Sequence, residues 1–305
     1  MALNTLEYRT ELTNELDKKL VHKSVIAALL DNSFGSKFVG TKTVLIPDVS
    51  FQGLGDYDRE TGFPAGAVTV EHTPYTLTQE RARRFAIDRM DMDEVGISGL
   101  AGQIMGEFQR TKVAPEMDAY GLSKLGGIAV DKGHTVEGTM ASECVKILTN
   151  AIKEVQDVVG YDEELIAFVN SDFNSALMST PELTRRLDIG DFKKGEINTR
   201  VRKLDNCVIL PASNSSMMKS YTFNDGTSEG QKEGGFVPNG TDAFGCIVLP
   251  KKVAKLVKKL DKVRIFDPDK NINKDAYQFD YRIYYDLLVK KSEIDAIWAY
   301  EYTMA

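Results

Sequence analysis

Thr76–Asp91 reads TLTQERARRFAIDRMD, and Met105–Tyr120, a few turns further on, reads MGEFQRTKVAPEMDAY. The first segment alternates charged and apolar residues, the period of a strand. The second carries apolar residues three and four apart and reads as part of a long helix. Asp91 and Asp93 supply cap chemistry and acidic first-turn charge, and Val95, Leu100, Ile104, Met105 and Phe108 continue the stripe. Running from Asp93 to Leu125, the helix spans on the order of 50 Å at 1.5 Å per residue. Pro115 is expected to kink it or split it in two. Gly96, Gly99, Gly102 and Gly106 leave one side bare, where another backbone can come close.

Upstream, TKTVLIPDVS (41–50) and AVTVEHTPYTLTQ (67–79) are strand-like runs joined by a polar tip, FQGLGDYDRETGFPAG (51–66). They predict a long hairpin. Pro47 and Pro74 remove ladder donors, which suits edges and not a sheet centre. A two-stranded hairpin is marginal alone in water, so something outside it has to hold it. Before it, Leu12, Leu16 and Leu20 recur every fourth position between Thr5 and Leu30, a narrow stripe that fits an arm laid on another surface.

Downstream, Met140–Val159 predicts a helix stopped by Gly160, ELIAFVN (164–170) a buried strand, and SDFNSALMST (171–180) a short helix ended before Pro181. INTRVRK, NCVILP and FGCIVLP predict strands. The Ser-, Asn- and Gly-rich stretch 213–242 predicts a long mobile loop. PKKVAKLVKKLDK (250–262) predicts a short helix with Val253, Leu256, Val257 and Leu260 inward and its lysines outward. AYQFDYRIYYDLLV and SEIDAIWAYEY close the chain as antiparallel strands.

With 305 residues the chain can bury one large core or two smaller ones. Hydrophobic content of 42% with 27% charged residues excludes disordered and collagenous classes. No run approaches the ~18 apolar residues of a membrane span, and MALNTLEYRT carries no secretory pattern, so assembly in a cytoplasm is expected. The net charge of -7 argues against a dedicated DNA-binding module, while leaving room for loose packing of DNA on a locally basic face. Cys144, Cys207 and Cys246 are too few and too scattered for a disulfide framework or metal knuckle and read as small buried hydrophobes.

No catalytic constellation emerges. Gly53 and Gly55 precede a polar turn instead of a helix N-terminus, and His22, His72 and His134 sit apart from any ligand partner. DPDKNINKDAYQ (267–278) imitates a calcium loop but has Ile272 where glycine is needed and Gln278 where a bidentate glutamate is needed. It reads as a turn. No cofactor or metal is expected. Two charged groups remain: the acidic tip, Asp56, Asp58 and Glu60, and the arginines Arg81, Arg83, Arg84 and Arg89 at the hairpin's foot. Carboxylate–guanidinium forks between them, from one subunit to the next, are the expected intersubunit contact.

Arm, edge-stranded hairpin with a GLGDYDR tip, strand TLTQERARRFAIDRMD and helix MGEFQRTKVAPEMDAY together resemble the major capsid proteins of tailed bacteriophages, of the siphophage type. VRIFDPDKN followed by DAYQFDYRIYYDLLV resembles the C-terminal portion of that family, and the likeness covers essentially the whole chain. It implies an α+β fold with an N-terminal arm (1–35), an extended hairpin loop (36–82), a peripheral domain with a spine helix (83–140, completed by 283–305) and an axial domain (141–282). It further implies a non-enzymatic subunit that self-assembles into pentamers and hexamers of an icosahedral head around double-stranded DNA. The expected partners are copies of itself, a separate scaffolding protein, a portal, decoration proteins and packaged DNA, in a virion and with no membrane. The arm begins almost at Met1, which fits a separate scaffold. The tip has no lysine between Lys42 and the second arm, which fits a non-covalent shell. The alternatives are an encapsulin-like bacterial compartment and, from another class, a carboxylate-dependent hydrolase using Asp56 and Asp58.

Overall fold

The computed structural model describes residues 24–30, 38–39, 42–60, 62–90, 101–136, 138–180, 188–194, 197–204, 206–271 and 274–304. The caps Asp91 and Asp93, the glycines at 96 and 99, His22 and most of the expected arm helix lie outside them. Inside them, the arm's end is a short 3-10 turn, Ile26–Leu29, with every residue buried.

The long helix runs as α1 (Ala101–Phe108), a π-turn (Gln109–Val113) and α2 (Ala114–Asp131). Pro115 neither splits nor ends it. Its missing N–H is absorbed by the wider turn, in which Ala114 N–H reaches back five residues to the Gln109 carbonyl. Thr111 Oγ1 donates to the Glu107 carbonyl one turn back, at 2.7 Å. Close approaches occur at two later glycines of the helix. A Cβ on Gly121 would lie 2.7 Å from Ile26 Cγ1, and one on Gly126 would enter the Phe244 ring.

The helix packs on a six-stranded sheet of order β14-β11-β5-β8-β7-β6. Its strands are β5 (Leu165–Val169), β6 (Asp188–Lys194), β7 (Ile197–Leu204), β8 (Cys207–Pro211), β11 (Asp242–Pro250) and β14 (Trp298–Thr303). β5 and β8 are parallel, and the other pairs are antiparallel. Both faces of β5 are covered, which is why LIAFV is an unbroken apolar run. Ile166 and Phe168 face the spine helix, while Leu165, Ala167 and Val169 face α3 (Met140–Val159) and α4 (Ser171–Ser179). α3 buries Cys144, Leu148, Ala151, Ile152 and Val155 and stops at Gly160, whose φ of 90° favours glycine. Asn170 caps α4 by accepting the Phe173 N–H at 2.7 Å. The three cysteines are buried, as expected of small hydrophobes.

A three-stranded antiparallel sheet, order β12-β13-β4, packs beside it: β4 (Gln79–Asp88), β12 (Ala254–Phe266) and β13 (Ala276–Val289). β12 replaces the helix expected over 250–262. Leu256 belongs to the main core, whereas Val257, next in sequence, belongs to a second cluster on the opposite face under the hairpin. A bulge between Lys258 and Leu260 then shifts the phase. Two covered faces and one bulge give the apolar residues a helix-like spacing, but twelve residue pairs with β13 hold the segment extended.

The stretch expected as a loop, 213–242, holds a 3-10 turn at Asn214–Ser216 and a small hairpin, β9 (Tyr221–Phe223) with β10 (Phe236–Pro238). Its turn is organised by Asp225, which accepts the Thr227 and Ser228 N–H groups at 2.8 and 2.9 Å. β13 pairs with β12 on one side and with β4 on the other, while β14 joins the six-stranded sheet.

Candidate assembly surface

β1 (Phe38–Val39), β2 (Thr43–Phe51) and β3 (Val68–Thr76) form the hairpin, with β2 and β3 matched over nine residue pairs from Thr43↔Thr76 to Phe51↔Val68. At about 3.4 Å per residue the ladder reaches roughly 30 Å. Only its root is in a core, where Val44, Ile46 and Leu77 pack on Val257, Tyr284 and Leu288.

A buried carboxylate fixes the root. Asp286, 1% exposed, accepts the Thr78 N–H and hydroxyl, both at 3.1 Å, the Tyr120 hydroxyl at 2.7 Å and the Leu287 N–H at 2.7 Å. Lys124 Nζ is 2.6 Å away, so strand, spine helix and hairpin root share one charge-assisted node. Asp118 does the same for the arm. It accepts Ser24 Oγ at 2.7 Å and the Val25 and Ile26 N–H groups at 3.1 and 2.9 Å. Burial pushes its pKa up to about 6, although those hydrogen bonds pull the other way.

Beyond the root the hairpin is bare. Asp56, Asp58 and Glu60 are all exposed, as the sequence predicts for a tip. Asp58 organises the turn, its carboxylate accepting the Glu60 N–H and its carbonyl the Gly62 N–H, both at 2.8 Å. The same segment exposes apolar groups that the sequence reading passed over. Phe63 is 89% and Phe51 74% exposed, Leu54 fully so, and Tyr57, Val49, Val68 and Val70 are more than two-fifths exposed. Tyr57 and Phe63 meet edge to face at 5.0 Å. Such a display signals a surface used for binding. The available clue was a set of large apolar residues in a segment with no periodicity to send them into a core.

The arginines do not wait unpaired. Arg81 Nε is 2.6 Å from Glu116, Arg83 donates to the Lys232 carbonyl at 3.2 Å, and Arg89 lies 3.2 and 3.5 Å from Asp269 and Asp275. Arg84 forms a fork on Asp280 at 2.7 and 2.9 Å, a contact that holds the Asp280 carboxyl below the usual carboxylate range. Strand alternation divides them further. Arg81 and Arg83 face the spine helix with Phe85, whereas Arg84 lies on the opposite face with Ala82 and Ala86 and is 66% exposed.

On that outer face the register sets Arg84 beside Asp280 and Asp280 beside Arg264. The next row is Ala82, Arg282 and Lys262. Arg282 is paired with Glu80. Among the described residues no three of His, Cys, Asp and Glu are grouped to hold a metal ion. No helix among the described residues is long and apolar enough to cross a membrane.

A spine helix on a mixed central sheet, a second antiparallel sheet and a projecting hairpin make this the tailed-phage capsid fold, an α+β architecture. Among solved structures, a chain of Mycobacterium phage Che8 is similar over 91% of this chain and 90% of its own, with a TM-score of 0.60 and 14% identity. The bacteriophage PhiM1 mature capsid matches over 85% of this chain and 82% of its own (TM-score 0.53, 10% identity). The virus-like particle from Pyrococcus furiosus matches over 97% and 99% (TM-score 0.53, 10% identity). No family model matches the sequence, and no curated protein matches it either.

Proposed function

We propose that this chain is the major capsid protein of a tailed bacteriophage, a structural subunit without catalytic activity that forms pentamers and hexamers of an icosahedral head around double-stranded DNA. One observation carries the reading: a ladder of roughly 30 Å ends in exposed Phe51, Leu54 and Phe63 that its own subunit does not cover. Burying those groups needs another molecule, and a subunit that offers the same projection in every copy is built to meet itself. In this reading the hairpin, 36–82, is the extended loop. The three-stranded sheet and spine helix make up the peripheral domain, the six-stranded sheet with α3 and α4 the axial domain, and 1–35 the arm. The tip carboxylates Asp56, Asp58 and Glu60 contact a neighbouring copy, and Arg81, Arg83 and Arg89 brace the subunit that receives them. A separate scaffolding protein, a portal and decoration proteins complete the virion.

The test is sedimentation and negative-stain microscopy of the protein, concentrated alone and co-expressed with its neighbouring genes. Closed shells or rings are expected. A strictly monomeric protein under every condition overturns the reading.

The alternative reading is an encapsulin-like compartment shell, because a shell fold like that of the Pyrococcus furiosus virus-like particle does not by itself specify what is enclosed. Nuclease-protected DNA inside purified particles supports the phage head, and protein cargo without DNA supports the compartment.

A further inference from the structure

Asparagine is followed by glycine once in this sequence, at Asn239–Gly240. The pair lies just past β10, where the small hairpin runs on toward β11, and both residues are exposed. Asn239 is held at two points. Its backbone N–H donates to the Ser220 carbonyl at 2.9 Å, and its side-chain Oδ1 accepts the Thr222 hydroxyl at 2.8 Å. Among the described residues nothing accepts a hydrogen bond from Asn239 Nδ2 or from the Gly240 N–H. In Asn170, Asn206, Asn224 and Asn271, by contrast, the side-chain nitrogen donates to a main-chain carbonyl. Gly240 has a φ of 87° and no atom within 4 Å of where a Cβ would stand, so the space beside its nitrogen is open.

We propose that Asn239 is a modification site, converting without an enzyme to aspartate and isoaspartate through a cyclic imide closed by the Gly240 nitrogen. That nitrogen attacks Asn239 Cγ. A bond forms between them, the Cγ–Nδ2 bond breaks, and the proton shed by Gly240 leaves with Nδ2 as ammonia. Water then opens the imide ring at either carbonyl, so a water is taken up, an ammonia is released and nothing is oxidised or reduced. The Thr222 hydroxyl assists, because its hydrogen bond fixes the side-chain carbonyl and supports the oxygen as it gains negative charge. The nearby Asp225–Gly226 pair has the sequence for the same ring but not the chemistry. Asp225 accepts the Ser228 hydroxyl and the Thr227 and Ser228 N–H groups, which hold its carboxyl well below the usual carboxylate range, and an ionised carboxylate offers no leaving group. Conversion places a negative charge at 239, and isoaspartate adds a main-chain carbon between 239 and 240. The contacts on either side then lose their register: Asn239 N–H to Ser220, Lys219 N–H to Asp242 and Met304 N–H to Thr241, each at 2.9 Å. The modification therefore loosens the closure of the small hairpin and the end of β14. It needs one folded subunit and no shell, so it stands or falls apart from the shell reading.

The experiment ages the full-length protein beside its Thr222→Val and Gly240→Ala variants at neutral and mildly alkaline pH, folded and in denaturant. Conversion is followed by peptide mass spectrometry after digestion at low pH, with an isoaspartate-specific methyl-transfer label. In folded wild type the peptide carrying Asn239 is expected to convert about tenfold faster or more than those carrying Asn206 and Asn271. Thr222→Val, which removes the hydroxyl and little else, is expected to slow Asn239 about threefold or more. That slowing is expected to vanish in denaturant, where the hairpin no longer places the hydroxyl. Gly240→Ala is expected to slow conversion in both states. An Asn239 that converts no faster than Asn206 and Asn271 overturns the proposal. So does a folded Thr222→Val variant that converts as fast as wild type, or a slowing that persists in denaturant.

Discussion

The molecule contains two antiparallel ribbons of similar make, β2 with β3 and β12 with β13, and they have opposite fates. The second pairs over twelve positions and lays Leu256, Phe279, Tyr281 and Leu287 into the main core. The first pairs over nine and buries nothing beyond its root. Backbone ladders are alike in the two, so the difference lies in what covers a face. One ribbon is covered by its own subunit, and the other, beyond its root, is not.

Removing a core side chain from the covered ribbon breaks this comparison most directly. Phe279→Ala, at a fully buried position, is expected to cost about 3–5 kcal/mol and to lower the melting temperature of the isolated subunit sharply. A loss below about 1 kcal/mol in denaturant unfolding would show that the ribbon does not depend on its buried face.

The smaller effect at Asp118 tests how the arm differs from both ribbons. Its carboxyl titrates near 6 in the fold against an ordinary 3.8. A raised acid pKa means that the native state holds the extra proton. The contribution is thus full below about pH 3.8 and is lost as pH rises through about 6. Unfolding free energy measured between pH 4 and 7 should carry this downward slope, and Asp118→Asn should flatten it. An identical slope in the variant would locate the titration elsewhere.

The smallest effect on the subunit belongs to the bare ribbon. Phe51→Ser with Phe63→Ser should shift the monomer's stability by no more than about 0.5 kcal/mol, because neither ring has a core to leave. The same variant should assemble poorly. A large drop in monomer melting would mean that the tip folds back on its own subunit in solution.

Much of the covered part was legible from period alone. The α3 stripe and its Gly160 stop, the β5 run and the alternation of AYQFDYRIYYDLLV each match what forms, because one face or two full faces of these elements are buried. The reading failed where two causes overlapped. At 253–260 a second covered face and a bulge turned a strand's pattern into a helix's, and at 213–242 strands of three residues were too short to show a period. The candidate surface was legible only by halves. Three acids in a Gly-rich turn marked the tip, but the arginines looked like one cluster until the pleat placed Arg84 apart from Arg81 and Arg83. Their partners, Glu116 and Asp280, are 35 and 196 positions away in sequence.

The hairpin's fixing at one end has a mechanical consequence. A ladder of two strands, gripped at Asp286 and uncovered along its length, bends and twists with little disturbance to any packed layer, whereas the sheet beneath it is clamped by the spine helix. A closed surface tiled by one chain must join its tiles at more than one angle, five around some points and six around others. In the shell proposed above, the compliance for that would be concentrated in the hairpin, leaving the subunit body rigid while its joints take up the difference in curvature.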